Sequence, residues 1–182
     1  YDMTVYAIDS LVGLFGPVRR VCALSGKRVP VRYWKGKQIK VDIDDNTLLL
    51  LDFGDSQYAL VNGSNAHQST RLGWGNISIC GALGALEIYS ENPSEPNLAS
   101  VVDVVGEKTH YLRDYGPYLT ESHLNIGDPH TFVDIMHFVD CVTSKTIPIS
   151  DASRTCHIIE IIEKSFMAAR TGKIQKIKTL FS

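Results

Sequence analysis

Three observations predict an α+β fold, an open and mostly antiparallel β-sheet with helices packed on one face. Short apolar runs joined by glycine turns fill the middle of the chain, helical periodicity opens and closes it, and no strand–helix alternation appears. The 182 residues suit one domain with a sizeable core.

From Asp2 to Phe15 apolar residues recur at helical spacing on two flanks, Met3, Ala7, Leu11 and Leu14 on one, Val5, Ile8, Val12 and Phe15 on the other. Between them Asp2, Tyr6 and Asp9 form a polar stripe that points one way. Gly16-Pro17 stops the helix. Val18 to Leu24 reads as a strand. Thr47 to Phe53 and Gln57 to Asn62 form a hairpin around Gly54-Asp55-Ser56, and Asn76 to Cys80 and Ala85 to Tyr89 another around Gly81 to Gly84. Ala99 to Val105 is a further strand, continued after a turn at Gly106 by Thr109 to Tyr111. Tyr89 to Asn97 and Tyr111 to Pro129 read as loops.

Helical period returns at Thr131 to Thr143, with Phe132, Ile135, Met136, Val139 and Val142 on the inward face. Ser150 is the expected N-cap of a last helix running to about Arg170, with Cys156, Ile159, Ile162, Phe166 and Ala169 inward and Gly172 just past its end. Lys173 to Phe181 adds one edge strand.

Composition narrows the function classes. Eighteen basic against twenty acidic residues leave −2, so no nucleic-acid partner is expected. No apolar run approaches 18 residues, so no membrane span is expected. Cys22, Cys80, Cys141 and Cys156 lie too far apart for a zinc or redox motif, and they read as reduced thiols of a cytoplasmic protein. His130 and His137 sit two helical turns apart, too far to share a metal, so none is expected. His137 and Asp134 are spaced to pair on the helix face. No G-x-G-x-x-G, Walker loop, H-E-x-x-H or G-x-S-x-G occurs, and Gly13-x-x-Gly16 and Gly81-x-x-Gly84 read as turn punctuation.

Asp2, Tyr6 and Asp9 are the constellation with chemical promise. A carboxylate one turn from a phenol can orient it, and the phenol can exchange a proton with a carbinol or carbonyl where a nearby cation favours its ionised form. The plainer alternative is helix capping by Asp2 and hydrogen-bonded core packing by Tyr6.

Tyr1 to Leu11 with Leu14 to Val18, then Asp45-Asn46-Thr47, Phe53-Gly54-Asp55, Ile79 to Ile88, His130 to Val142, Pro148 and Arg154 with Ala168 to Lys173 together resemble the second domain of the glucose–fructose oxidoreductase / inositol dehydrogenase / MocA family. The resemblance implies that residues 1–182 are the C-terminal substrate-binding and oligomerisation domain of an NAD(P)-dependent oxidoreductase. Tyr1, not Met, opens the chain in mid-pattern, so the N-terminus is expected to be a cut. A Rossmann domain carrying NAD or NADP and a lysine in a Glu-Lys-Pro type motif would then lie outside this sequence, and the fragment alone would bind no cofactor.

The family's D-x-x-x-H motif falls on Asp2 and Tyr6, with Tyr where His is commoner. Asp9 matches an acidic position that touches substrate hydroxyls. His67, Trp74, Tyr115 and His123, in loops, suit a sugar-like substrate, whose ring faces stack and whose edges hydrogen-bond. A homodimer or larger assembly through the sheet is expected. The rival reading is a non-catalytic interaction module that uses the same sheet face.

Overall fold

A computed structural model describes residues 4–64, 76–89, 98–103, 106–111 and 129–181. The chain divides into two compact units, Tyr1–Gln68 with Ser150–Ser182, and Ser69–Ile149. Both are helix with antiparallel sheet, so the α+β architecture predicted from sequence is the one observed.

The first unit opens with α1 (Thr4–Phe15). The strands β1 (Arg20–Gly26), β4 (Asn46–Gly54), β5 (Gln57–Ser64) and β10 (Gln175–Lys176) form a sheet in the order β10-β1-β4-β5. Every neighbouring pair in it is antiparallel. Helix α3 (Ala152–Thr171) completes the unit, and α1 and α3 pack against the sheet and each other. The core between them holds Ile8 and Val12 of α1, Val21 and Ala23 of β1, Leu49 and Leu51 of β4, Val61 of β5, and Ile158 and Ile161 of α3. Phe15 meets Phe53 edge-on, 5.5 Å between ring centroids.

Helix α3 corrects two expectations. Its N-cap is Asp151, not Ser150: Asp151 Oδ1 accepts from the Arg154 amide at 2.9 Å and from the Ser153 hydroxyl at 2.7 Å. Its buried face is His157, Ile158, Ile161, Ile162, Ser165 and Ala168, while Cys156 and Ile159 are exposed. The face turns because two polar residues go inward with their hydrogen bonds made. Ser165 donates to the Ile161 carbonyl at 2.7 Å. The Val18 amide donates to His157 Nε2 at 2.9 Å, and Nδ1–H faces the Thr179 carbonyl at 2.9 Å. The C-terminal stop is as expected: Gly172 takes φ 66°, a left-handed conformation, and its amide donates to the Ala168 carbonyl.

A hairpin absent from the sequence reading, β2 (Val31–Trp34) and β3 (Lys37–Lys40), stands between β1 and β4. Its base is held by the buried carboxylate of Asp45, which accepts from the amides of Arg28 (2.6 Å) and Val29 (3.1 Å) and from Arg32 Nη2 (3.0 Å). The Arg28 amide first, then the Arg32 side chain, hold that carboxyl below the usual range.

The second unit has a sheet of β6 (Ile77–Gly81), β7 (Gly84–Tyr89), β8 (Leu98–Asp103) and β9 (Gly106–Tyr111), meandering in sequence order. Ile77 pairs with Ile88 and Ile79 with Leu86, which places these four on one face. Gly106, read from sequence as a turn, is the first residue of β9. Helix α2 (Pro129–Ser144) buries Cys141 and partly buries Phe132 and Met136. Ile135, Val139 and Val142, expected inward, are exposed. Apolar residues on several sides of α2 make its inner face ambiguous in sequence. His137 Nε2 accepts from the Ile149 amide at 3.2 Å and lies 3.6 Å from Cys141 Sγ, so the expected partner Asp134 is replaced.

All four cysteines are free. No described helix is long and apolar enough to cross a membrane. The described residues contain no group of three metal-ligating side chains.

Candidate functional site

The polar edge of α1 survives as a physical feature. Tyr6 is 66% exposed and therefore outside the core, which corrects the core-packing alternative. Helical spacing puts Asp9 one turn further on, with Cβ atoms about 5–6 Å apart. Ser10 turns its hydroxyl back to the Tyr6 carbonyl at 2.9 Å. Among the described residues the Tyr6 hydroxyl makes no hydrogen bond, so the phenol stands open at the surface of its unit.

Asp9 is placed by a residue the sequence did not single out as functional. Arg154, from the first turn of α3, reaches α1 with Nη2 2.8 Å from Asp9 Oδ1 and 2.6 Å from the Asp9 carbonyl oxygen. The Arg154 side chain is only 11% exposed, and that of Asp9 is 41% exposed. Gly13, one turn beyond Asp9, makes the approach possible, since a Cβ there would collide with the guanidinium. Gly13 is thus a helix-interior seat and not turn punctuation. Its position four residues after Asp9 was the available signal, and nothing in sequence tied it to a residue 141 positions away.

The other expected site residues, Asp2, His67, Trp74, Tyr115 and His123, lie outside the described residues. A nearby cleft of the same unit is lined by Thr4, Ser25, Thr47, Leu49, Ile162, Ser165 and Phe166, with neither Tyr6 nor Asp9 in its wall. The sheet's uncovered face is a second candidate surface: Leu24 (72%), Tyr58 (70%) and Leu60 (69%) are exposed there, with Leu48 and Leu50 beside them.

The polar cluster between the first half of α3 and the segment around Thr179 is structural. Glu160 accepts from the amides of Lys178 and Thr179 and from the Thr179 hydroxyl at 2.6 Å. Burial pushes its carboxyl up, and these hydrogen bonds, Thr179 hydroxyl foremost, outweigh that and hold it below its ordinary value. Burial pushes the His157 imidazole down, against opposing pulls from Thr179 and Glu160. Both its ring nitrogens are engaged, so it has no vacant position for a substrate.

The fold is shared with about half the length of several solved oxidoreductases. The chain matches levoglucosan dehydrogenase in its apo form with a TM-score of 0.81 and 18% identity, over 99% of this chain and 51% of the dehydrogenase. The same enzyme in complex with NADH and levoglucosan matches at 0.80 and 17%, over 98% and 50%. An NAD-binding oxidoreductase from Klebsiella pneumoniae matches at 0.77 and 14%, over 97% and 49%. The chain therefore spans about half the length of the solved structures it matches. A comparison with curated proteins gives no significant match. Residues 1–87, a little under half of the chain, match the family model for the GFO/IDH/MocA C-terminal domain.

Proposed function

We propose that residues 1–182 form the substrate-binding and oligomerisation part of a cytoplasmic NAD(P)-dependent oxidoreductase acting on the CH–OH group of a sugar, polyol or related compound. The observation that carries this reading is the pairing, on one exposed edge of α1, of a phenol with an anchored carboxylate. Cytoplasmic placement is supported by the four free cysteines.

The described residues do not fit a dinucleotide. Their strands pair antiparallel, and no parallel strand–turn–helix unit with a glycine cradle occurs among them. NAD or NADP would be held by a Rossmann domain outside this sequence and would supply the hydride chemistry. This chain's share is proton exchange and hydroxyl recognition. Tyr6 exchanges the proton of the reacting carbinol, oriented by Asp2 and assisted by a lysine of the cofactor domain. Asp9 accepts a hydrogen bond from a substrate hydroxyl, and the family resemblance extends sugar binding to His67, Trp74, Tyr115 and His123.

The test is Tyr6→Phe in the full-length protein. Turnover should fall by about 100-fold or more, the scale of a lost acid–base group, with cofactor binding held within about 3-fold. Unchanged turnover removes Tyr6 from the chemistry. Full-length protein without NAD(P)-dependent turnover on any polyol would favour the interaction module instead, a reading that the open sheet face supports. Either reading uses that face for a homodimer or larger assembly, because an apolar patch of this kind seldom stays uncovered in a monomer.

A further inference from the structure

We propose that Arg154 is a positioning residue for substrate selection: by holding one oxygen of Asp9, it leaves that carboxylate a single outward acceptor, which grips one hydroxyl and not a vicinal pair. The inference rests on the function proposed above.

Three observations carry it. Oδ1 of Asp9 has no exposed surface and no hydrogen bond, and its contact is the ion pair with Arg154 Nη2 at 2.8 Å, while the side chain as a whole is 41% exposed, so the outward surface belongs to Oδ2 and the methylene. A carboxylate with both oxygens open can accept from two neighbouring hydroxyls at once, whereas one with an oxygen occupied accepts outward from the other alone. Arg154 is in turn fixed at both ends. Its amide donates to the N-cap Asp151, and its guanidinium is seated over Gly13, hydrogen-bonded to the Asp9 backbone carbonyl and ion-paired with the Asp9 carboxylate. The grip on Asp9 is thus made by a nearly buried side chain, in place before a ligand arrives. Tyr6, one turn away on the same edge, would meet the reacting carbinol while Asp9 Oδ2 meets one hydroxyl elsewhere on the molecule.

The experiment compares full-length wild type with Arg154→Gln, Arg154→Lys and Gly13→Ala. The probes are myo-inositol and D-glucose, each beside its monodeoxy analogues. For the better substrate, Arg154→Gln should raise KM about 10-fold while kcat stays within about 3-fold, the pattern of a lost positioning hydrogen bond. The KM of the one analogue lacking the gripped hydroxyl should scarcely move. Arg154→Lys should recover part of the loss. Gly13→Ala, which displaces the guanidinium without removing a polar group, should reproduce the glutamine pattern in a folded protein.

Equal losses on parent and analogue, or a fall in kcat that follows loss of folded protein, would overturn the inference and leave the pair structural. A wild type that turns over polyols, with Arg154→Gln behaving as wild type, sinks this inference alone. A wild type that neither turns over nor, by calorimetry, binds either polyol sinks the proposed function and this inference together.

Discussion

The first sheet shows its two faces nearly the same residues and treats them differently. Along β4, Leu49 and Leu51 are 1% and 0% exposed under the helices, while Leu48 and Leu50 remain 42% and 40% exposed on the other side. Along β1, Val21 is fully buried and Leu24 is largely bare. Strand alternation produces the division, since successive side chains point to opposite faces. The same apolar character thus serves the core on one face and is available for recognition on the other.

That difference can be measured. Leu51→Ala should cost about 2–5 kcal/mol in a urea melt, as large-to-small changes in closed cores do, and Leu50→Ala less than about 1. Similar losses at both positions would mean that the outer face is also a core. Next in size, His157→Ala should cost about 2–3 kcal/mol, because it leaves the Val18 amide and the Thr179 carbonyl without their partner under the helix layer. The pH dependence follows from the same ring. Its folded-state pKa lies below the ordinary 6.5. The unfolded chain therefore takes up the proton first, and stability is complete above about pH 6.5 and declines as pH falls below it. His157→Gln should flatten the slope below about pH 6.5, and an unchanged slope would assign it to other groups. Smallest in stability is Leu60→Glu on the open face. It should shift melting by less than about 0.5 kcal/mol yet dissociate the assembly in sedimentation. A monomeric wild type would remove the oligomer from the proposal.

The sequence exposed the framework through its turns and its helix ends. Gly54-Asp55-Ser56, Gly81 to Gly84 and Gly172 mark sharp local events with their own chemistry, and each stands where it was expected. Faces were harder. The four leucines Leu48 to Leu51 conceal the period of two, and in α3 an inward histidine and serine shifted the stripe, because buried polar groups depend on partners far along the chain. The hairpin β2–β3 escaped notice because its strands are four residues each and mostly charged or exposed, and its anchor is a single aspartate. Tyr6 and Asp9 could be read as one edge from spacing alone. The arginine behind Asp9 could not, since only the packing of α3 on α1 brings the two together.

The first unit is assembled from both ends of the chain, residues 1–68 and 150–182, with 81 residues between them. Ribosomes add about 5–20 residues per second, so the early strands wait roughly 4–16 s for α3 to emerge. During that interval Val21, Leu49 and Leu51 lack the cover of α3, and the nascent chain shows water part of the surface it will later hide. Newly made protein should accordingly depend on chaperones that hold apolar strands, and slow translation of the intervening segment should lengthen that dependence.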